Sequence, residues 1–135
     1  MKSFLQLKFI PLNPSLALLI LRVWLGGSML ALHGWGKLQK LVKGDFSFGD
    51  PLHIGAAPTL VLAVTAEVLA SVFLILGFMG RFAALLLAST MAVAWVVTHK
   101  MKLAGPGNGE LAFIYLAGFI AIVFAGTGKY GIEKA

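Results

Sequence analysis

The sequence contains no cysteine, and this absence removes several kinds of chemistry at once. Disulfide frameworks, thiolate metal sites, iron–sulfur clusters and thiol–disulfide exchange each need a sulfur ligand or nucleophile. Membrane enzymes that pass electrons between protein disulfides and quinone need a cysteine pair. The chain is therefore not an enzyme of that class.

Charged residues are also scarce. They make up 12% of the 135 residues, whereas hydrophobic residues make up 59% and the mean hydropathy is +0.93. A soluble domain carries about a quarter charged residues, so this composition indicates an integral membrane protein. The 11 basic residues outnumber the 5 acidic ones, but they stand singly between apolar runs, as membrane-flank anchors do. We expect no nucleic-acid partner.

Four apolar stretches are long enough to cross a bilayer, since a hydrocarbon core of about 30 Å needs about 20 helical residues. The segment 77–81 between the second and third stretches predicts a tight hairpin, which makes those two helices antiparallel neighbours. We therefore predict an all-α integral membrane protein, a single transmembrane domain over 1–135 with four helices in an antiparallel up-down-up-down bundle. The predicted helices cover 15–36, 58–79, 81–99 and 110–125, with a surface loop over 37–57. The spacing of Lys37, Lys40 and Lys43 in this loop suggests that the first helix extends or re-forms along the membrane surface before Gly44.

The predicted bundle places both termini and the hairpin on one side of the membrane. Besides Arg22, five basic residues fall on that side and five on the other. The positive-inside rule therefore gives no orientation.

Two opposite charges fall inside the predicted helices, Arg22 in the first and Glu67 in the second. A charge near the bilayer centre costs at least a few kcal/mol, so each needs a partner or a hydrated cavity. From the helical rise, Arg22 lies about 10 Å and Glu67 about 15 Å from the hairpin side. These depths predict a structural ion pair Arg22–Glu67. The pair either only locks the first two helices together or also lines a path for a ligand or protons.

Further polar residues continue this pattern. Three- and four-residue steps place on one face of the first helix Arg22, Gly26, Met29, His33 and Lys37. Near the membrane side opposite the hairpin, His33, His99 and Glu110 are predicted to meet, because the first and third helices end there and the fourth begins there.

This predicted cluster has two interpretations. The three side chains form a hydrogen-bonded pocket for a polar head group or for proton exchange, or His99 and Glu110 are only helix-terminal residues at the interface. Neither His33 nor His99 has a neighbour at ligand spacing, so we predict no metal site. The candidate residues for ligand binding or a proton path are Arg22, His33, Lys37, Glu67, His99 and Glu110.

The first helix carries the most specific sequence pattern. Leu21-Arg22, then Gly26, then the run 33–38 (His-Gly-Trp-Gly-Lys-Leu) resembles the first-helix signature of the DoxX family of small four-helix bacterial membrane proteins. The resemblance extends over nearly the full chain, through Glu67, Arg81, His99, Glu110 and the segment 126–133. Family members usually carry a serine and an aspartate where this chain has Gly131 and Glu133.

The resemblance implies a bacterial inner-membrane protein, with both termini cytoplasmic, that acts as a membrane subunit of an oxidoreductase complex. Its polar residues would hold a quinone-like or lipid-like molecule and move protons. The sequence shows no redox-active set of side chains, so electrons would come from a partner or a bound cofactor, for which quinone is the candidate. Expected partners are membrane lipid, other membrane or oxidoreductase proteins, and a second copy of the chain.

Two other classes fit the same pattern. The first is a small proton-coupled transporter, although such proteins usually place the membrane carboxylate in the first helix without a buried arginine nearby. The second is a scaffold or assembly chaperone for other membrane proteins. In that class the polar network fixes the bundle and the apolar outer face binds clients.

Overall fold

The computed structural model describes residues 1–133, and over these residues the chain is helical without β-strands. After a single helical turn at Lys2–Leu5, four long helices follow: α1 (Pro14–Val42), α2 (Ala56–Leu76), α3 (Gly80–Thr98) and α4 (Glu110–Ala125). Helices α1, α2 and α3 are long and apolar enough to cross a membrane, whereas α4 is a shorter apolar helix of 16 residues.

Local chemistry explains where helices begin and end. Pro14 occupies the first turn of α1, where its missing N–H costs nothing, and the Asn13 side chain accepts a hydrogen bond of 3.0 Å from the Leu16 amide. At the hairpin between α2 and α3, α2 ends at Leu76. The next residue, Gly77, has a φ of 69°, the left-handed conformation that glycine adopts freely.

The first helix extends into the segment that was predicted as a surface loop from residue 37. The lysine spacing had suggested that the helix extends or re-forms before Gly44, and α1 continues through Gly36 to Val42, so the loop covers only 43–55. The physical reason is that Lys37 and Lys40 can lay their methylene stems along the helix while their ammonium groups reach polar partners.

The four helices pack as neighbours around a shared core. Each long helix contacts the next one in the chain, and α1 also contacts α4. Glycines bring α1 close to α2, because a Cβ on Gly34 would lie 2.8 Å from the Glu67 carbonyl oxygen, and one on Gly26 would lie 3.2 Å from that of Ser71. The fully buried side chains at the centre of the bundle include Met29, Leu74, Leu87, Phe119 and Ile122.

Three of the helices contain a π-helical segment. These segments are Leu30–Gly34 in α1, Thr65–Ala70 in α2 and Ala94–Thr98 in α3. A π turn inserts one extra residue into a helix and occurs frequently at functional sites. Here the three segments contain or directly precede His33, Glu67 and His99.

Candidate functional site

A cavity of about 620 Å³ lies between the four helices, on the side of the molecule away from the hairpin. This volume falls within the range of about 300–1,000 Å³ that small-molecule sites occupy. All three π-helical segments contribute to its wall, with His33, Glu67 and Thr98 as representatives. The rest of the wall is mainly apolar, so only a few polar groups are available to a ligand.

Lys37 and Glu67 form an ion pair at the wall of this cavity. Lys37 Nζ lies 2.5 Å from Glu67 Oε2, and the two side chains are 23% and 5% exposed, respectively. Both residues face the cavity. The ammonium group has three protons, so it can donate to the carboxylate and still donate to a ligand.

This geometry corrects the predicted Arg22–Glu67 pair. Arg22 is fully buried but donates to backbone carbonyls, from Nη1 to Leu74 (3.2 Å) and Ile75 (3.1 Å) and from Nη2 to Tyr130 (3.1 Å). Helical side chains tilt toward the N-terminus of their own helix, and α1 and α2 run in opposite directions. Arg22 therefore points toward the hairpin end and Glu67 toward the end that carries Lys37.

Arg22 joins three parts of the chain. The carbonyls of Leu74 and Ile75 belong to the last turn of α2, where a cation is favourable; the Leu74 carbonyl also accepts from the Gly77 amide at 3.1 Å. The chain beyond α4 returns to the same place, since the Ile132 and Glu133 amides donate to the Leu76 and Gly77 carbonyls, each at 3.0 Å. Arg22 thus holds α1, the end of α2 and the C-terminal segment together.

His33 lies on the same wall as the ion pair. Its ring meets the Tyr115 ring of α4 edge to face, with centroids 5.8 Å apart, and both residues line the cavity. The structure thus brings together on one cavity His33, Lys37 and Glu67, which the sequence had placed on two helices.

His99 also reaches the cavity, but Glu110 does not. The His99 ring is half-buried and lines the wall, and its Nδ1 lies 3.0 Å from the Gly107 carbonyl oxygen. Glu110 is exposed at the first position of α4, outside the lining. The predicted three-residue cluster is therefore corrected to two histidines, because a carboxylate at a helix N-terminus is stabilised in water by the helix dipole. Glu110 thus fits the second interpretation, that of a helix-terminal residue at the interface.

The loop 43–55 covers part of the cavity and contributes residues that the sequence did not single out. Phe48, Pro51 and Leu52 line the wall, and the Lys37 ammonium lies 5.9 Å from the centre of the Phe48 ring. The carboxylate of Asp50 fixes this loop. No pattern in the sequence distinguishes Phe48 from the many other apolar residues of the chain.

Asp50 accepts three hydrogen bonds at the entry to α2. The donors are the Ile54 and Gly55 amides, both at 2.9 Å, and the Thr59 hydroxyl at 3.1 Å. Desolvation acts to raise the pKa of Asp50, but these hydrogen bonds together outweigh it and the pKa lies below the ordinary value of 3.8. The loop is thus held by an ionised carboxylate at neutral pH.

Comparisons with known proteins agree with the pattern in the first helix. Residues 17–100 match the family model described as DoxX. A protein of Haemophilus influenzae, named only as an uncharacterized protein, is 33% identical over 118 residues, covering 78% of this chain and 81% of the relative. No solved structure matches the chain.

Proposed function

The chain belongs to the DoxX family as a multi-pass membrane protein, and from this premise we propose that it is a membrane subunit of an oxidoreductase complex. In this role its cavity holds the head of a quinone-like molecule. The chain has no cysteine, and its side chains offer no other redox-active set. The quinone would therefore exchange electrons with a partner oxidoreductase protein.

One observation carries the proposal. A cavity of about 620 Å³ has mainly apolar walls, into which His33, the Lys37–Glu67 pair and His99 converge. An apolar cavity with a few convergent polar groups is the usual form of a small-molecule site. Ionisable residues within membrane-spanning helices are costly, and they favour a functional assignment where they face a cavity.

The walls also favour a lipophilic ligand. Leu62 of α2 and Leu111 of α4 line the cavity and are 57% and 55% exposed on the outer surface of the bundle. A molecule dissolved in the bilayer can therefore enter from the side, between apolar side chains. A water-soluble substrate would lose hydration along that route.

We place the protein in the inner membrane, with four spans in an up-down-up-down bundle and both termini cytoplasmic. The 16 residues of α4 are fewer than the roughly 20 that a span needs, and the bilayer can thin locally around a short helix at a modest cost. A reporter fused after residue 135 tests the topology. If a reporter that works only in the periplasm is active in this fusion, the cytoplasmic placement of the C-terminus is wrong.

Purification followed by extraction of bound small molecules tests the function. We expect the detergent-purified protein to carry a quinone at close to one molecule per chain. Ala63→Phe fills the cavity from its wall and should abolish the bound quinone, whereas Ala117→Phe adds the same side chain to an exposed position of α4 outside the cavity and should retain it.

Other results would redirect the assignment. Quinone bound equally by both variants, or absent from the native protein, would contradict the proposal. A co-purifying membrane protein without quinone would instead favour a scaffold or assembly role. Proton-coupled uptake in vesicles containing the purified chain alone would favour a transporter.

A further inference from the structure

The hydrogen bonds around the cavity fix which groups there can donate and which can accept. A carbonyl oxygen only accepts, so the contact of 3.0 Å between His99 Nδ1 and the Gly107 carbonyl requires the proton of the imidazole to sit on Nδ1. The neutral ring then presents Nε2 as an acceptor. No hydrogen bond joins Nε2 to any residue between 1 and 133.

The ring is also held in place. Gly109 is buried behind it, and a Cβ on Gly109 would lie 2.7 Å from His99 Cβ and 3.0 Å from Trp95 Cδ1. The turn 105–109 therefore clamps His99 between its backbone and α3. His99 lines the cavity, and because the two imidazole nitrogens lie on different edges of the ring, the bond at Nδ1 leaves Nε2 without a partner among residues 1–133.

Three hydroxyl groups of the wall point to the same conclusion. Ser89 and Thr90 donate to the Leu85 and Leu86 carbonyls of their own helix, at 2.8 and 2.9 Å, and the single proton of the Thr59 hydroxyl is taken up between the Asp50 carboxylate (3.1 Å) and the Gly55 carbonyl (2.7 Å). Their protons are used, and what remains toward the cavity is oxygen lone pairs. Lys37 is the strong donor on the wall, and it is shared with Glu67.

We propose that the cavity selects a ligand whose head carries a hydroxyl donor, a hydroquinone rather than a quinone, and that His99 Nε2 accepts the hydrogen bond from that hydroxyl. The inference rests on the function proposed above and specifies the form of the ligand. A quinone carbonyl has no proton to offer His99, whereas both forms can accept from Lys37. The difference between the affinities for the quinol and for the quinone therefore measures the hydrogen bond to His99.

The test compares two probes on the purified full chain at one neutral pH, decylubiquinol and decylubiquinone. Quenching of tryptophan fluorescence measures both affinities in a Trp24→Phe, Trp35→Phe background, which retains Trp95 beside the loop that holds His99. A neutral hydrogen bond contributes about three- to tenfold in affinity, and we expect the quinol to bind tighter by about that factor.

Two substitutions separate the two nitrogens of His99. His99→Asn places an amide near Nδ1, where it can still donate to Gly107, and removes the acceptor at Nε2; we expect the preference for the quinol to disappear. His99→Gln places a carbonyl oxygen near Nε2, and we expect it to retain part of the preference. His53→Gln, a histidine outside this cavity, is the matched control and should leave both affinities unchanged.

The outcomes distinguish the two proposals. If neither probe binds, the quinone function fails and the selectivity fails with it. If both bind equally in the native protein, or if His99→Asn keeps the preference, the role of His99 is wrong while the function stands. A lipid can offer the same chemistry, so displacement of the quinol by phosphatidylglycerol, but not by the methylated lipid phosphatidylcholine, would identify a glycerol hydroxyl as the natural donor.

Discussion

Arg22 and the Lys37–Glu67 pair lie in the same bundle, but their charges are stabilised in different ways. Arg22 is fully buried, and its guanidinium is bound by carbonyl groups at the end of α2 and in the C-terminal segment. Lys37 and Glu67 bind each other at the wall of a cavity. A guanidinium that is bound by backbone carbonyls away from the cavity is held in one place, whereas a side-chain pair beside a cavity can respond to a ligand.

From this difference we propose that Arg22 serves stability and that the cavity end serves binding. A Cβ on Gly77 would lie 2.6 Å from Arg22 Nη1, so the hairpin is closed around the guanidinium. The other end of the bundle instead combines three π-helical segments with a covering loop.

Arg22→Met should cause the largest loss of stability. It removes three hydrogen bonds that a fully buried guanidinium donates, and we expect a loss of about 3–5 kcal/mol in the free energy of unfolding. Unfolding by sodium dodecyl sulfate in mixed micelles measures it. Arg81→Met is the control, because Arg81 is exposed and donates one hydrogen bond to Val123, and it should cost about 1 kcal/mol. Equal losses in the two variants would contradict the structural role of Arg22.

A double-mutant cycle tests which cation Glu67 pairs with. Lys37→Met and Glu67→Gln should show a coupling energy of about 1–3 kcal/mol, less than for a fully dry pair because Lys37 remains partly exposed. Arg22→Met and Glu67→Gln should be additive within about 0.5 kcal/mol. Coupling to Arg22 rather than to Lys37 would restore the pair that depth alone predicted.

Gly34→Ala should separate α1 from α2 beside the ion pair. The added methyl would lie 2.8 Å from the Glu67 carbonyl oxygen, so the helices must shift, at a cost of about 1–3 kcal/mol together with weaker ligand binding. Gly36→Ala is matched in chemistry and helix, and its methyl meets nothing within 4 Å. It should be neutral or slightly stabilising, and an equal loss in both variants would contradict the close contact at Gly34.

The smallest effect concerns the loop over the cavity. Because the folded pKa of Asp50 lies below its ordinary value, its contribution to stability is present at neutral pH and is lost as the pH falls through that lowered pKa. Hydrogen exchange of the Ile54 and Gly55 amides, corrected for intrinsic rates, should speed up in acid. Asp50→Asn should remove most of this pH dependence, and an unchanged profile in that variant would exclude Asp50 as its source.

The sequence predicted the helical membrane character and much of the composition of the site. The capped start at Asn13-Pro14 and the glycine hairpin follow from local chemistry, and the DoxX resemblance of the first helix is confirmed by the family match. His33, Lys37 and His99 were each identified, and all three line the cavity. Their roles in binding stay predictions.

The pairing of charges could not be predicted from depth along the helices. Arg22 and Glu67 lie at comparable depths, but their side chains tilt in opposite directions along antiparallel helices. The π-helical segments leave no signal in hydrophobic periodicity, since each inserts a single residue. They rotate the following turns, so the face that a residue such as Glu67 presents is decided by packing between helices.

Photolabelling of the purified chain with an azidoquinone tests the division between the two ends most directly, because it reports where the ligand lies. After irradiation and digestion, mass spectrometry should find the label on peptides that contain His33 and Lys37, or on the segment 98–109 around His99, and Ala63→Phe should prevent labelling. Labelling around Arg22 or the segment 126–133, unaffected by Ala63→Phe, would contradict a binding site at the cavity end of the bundle.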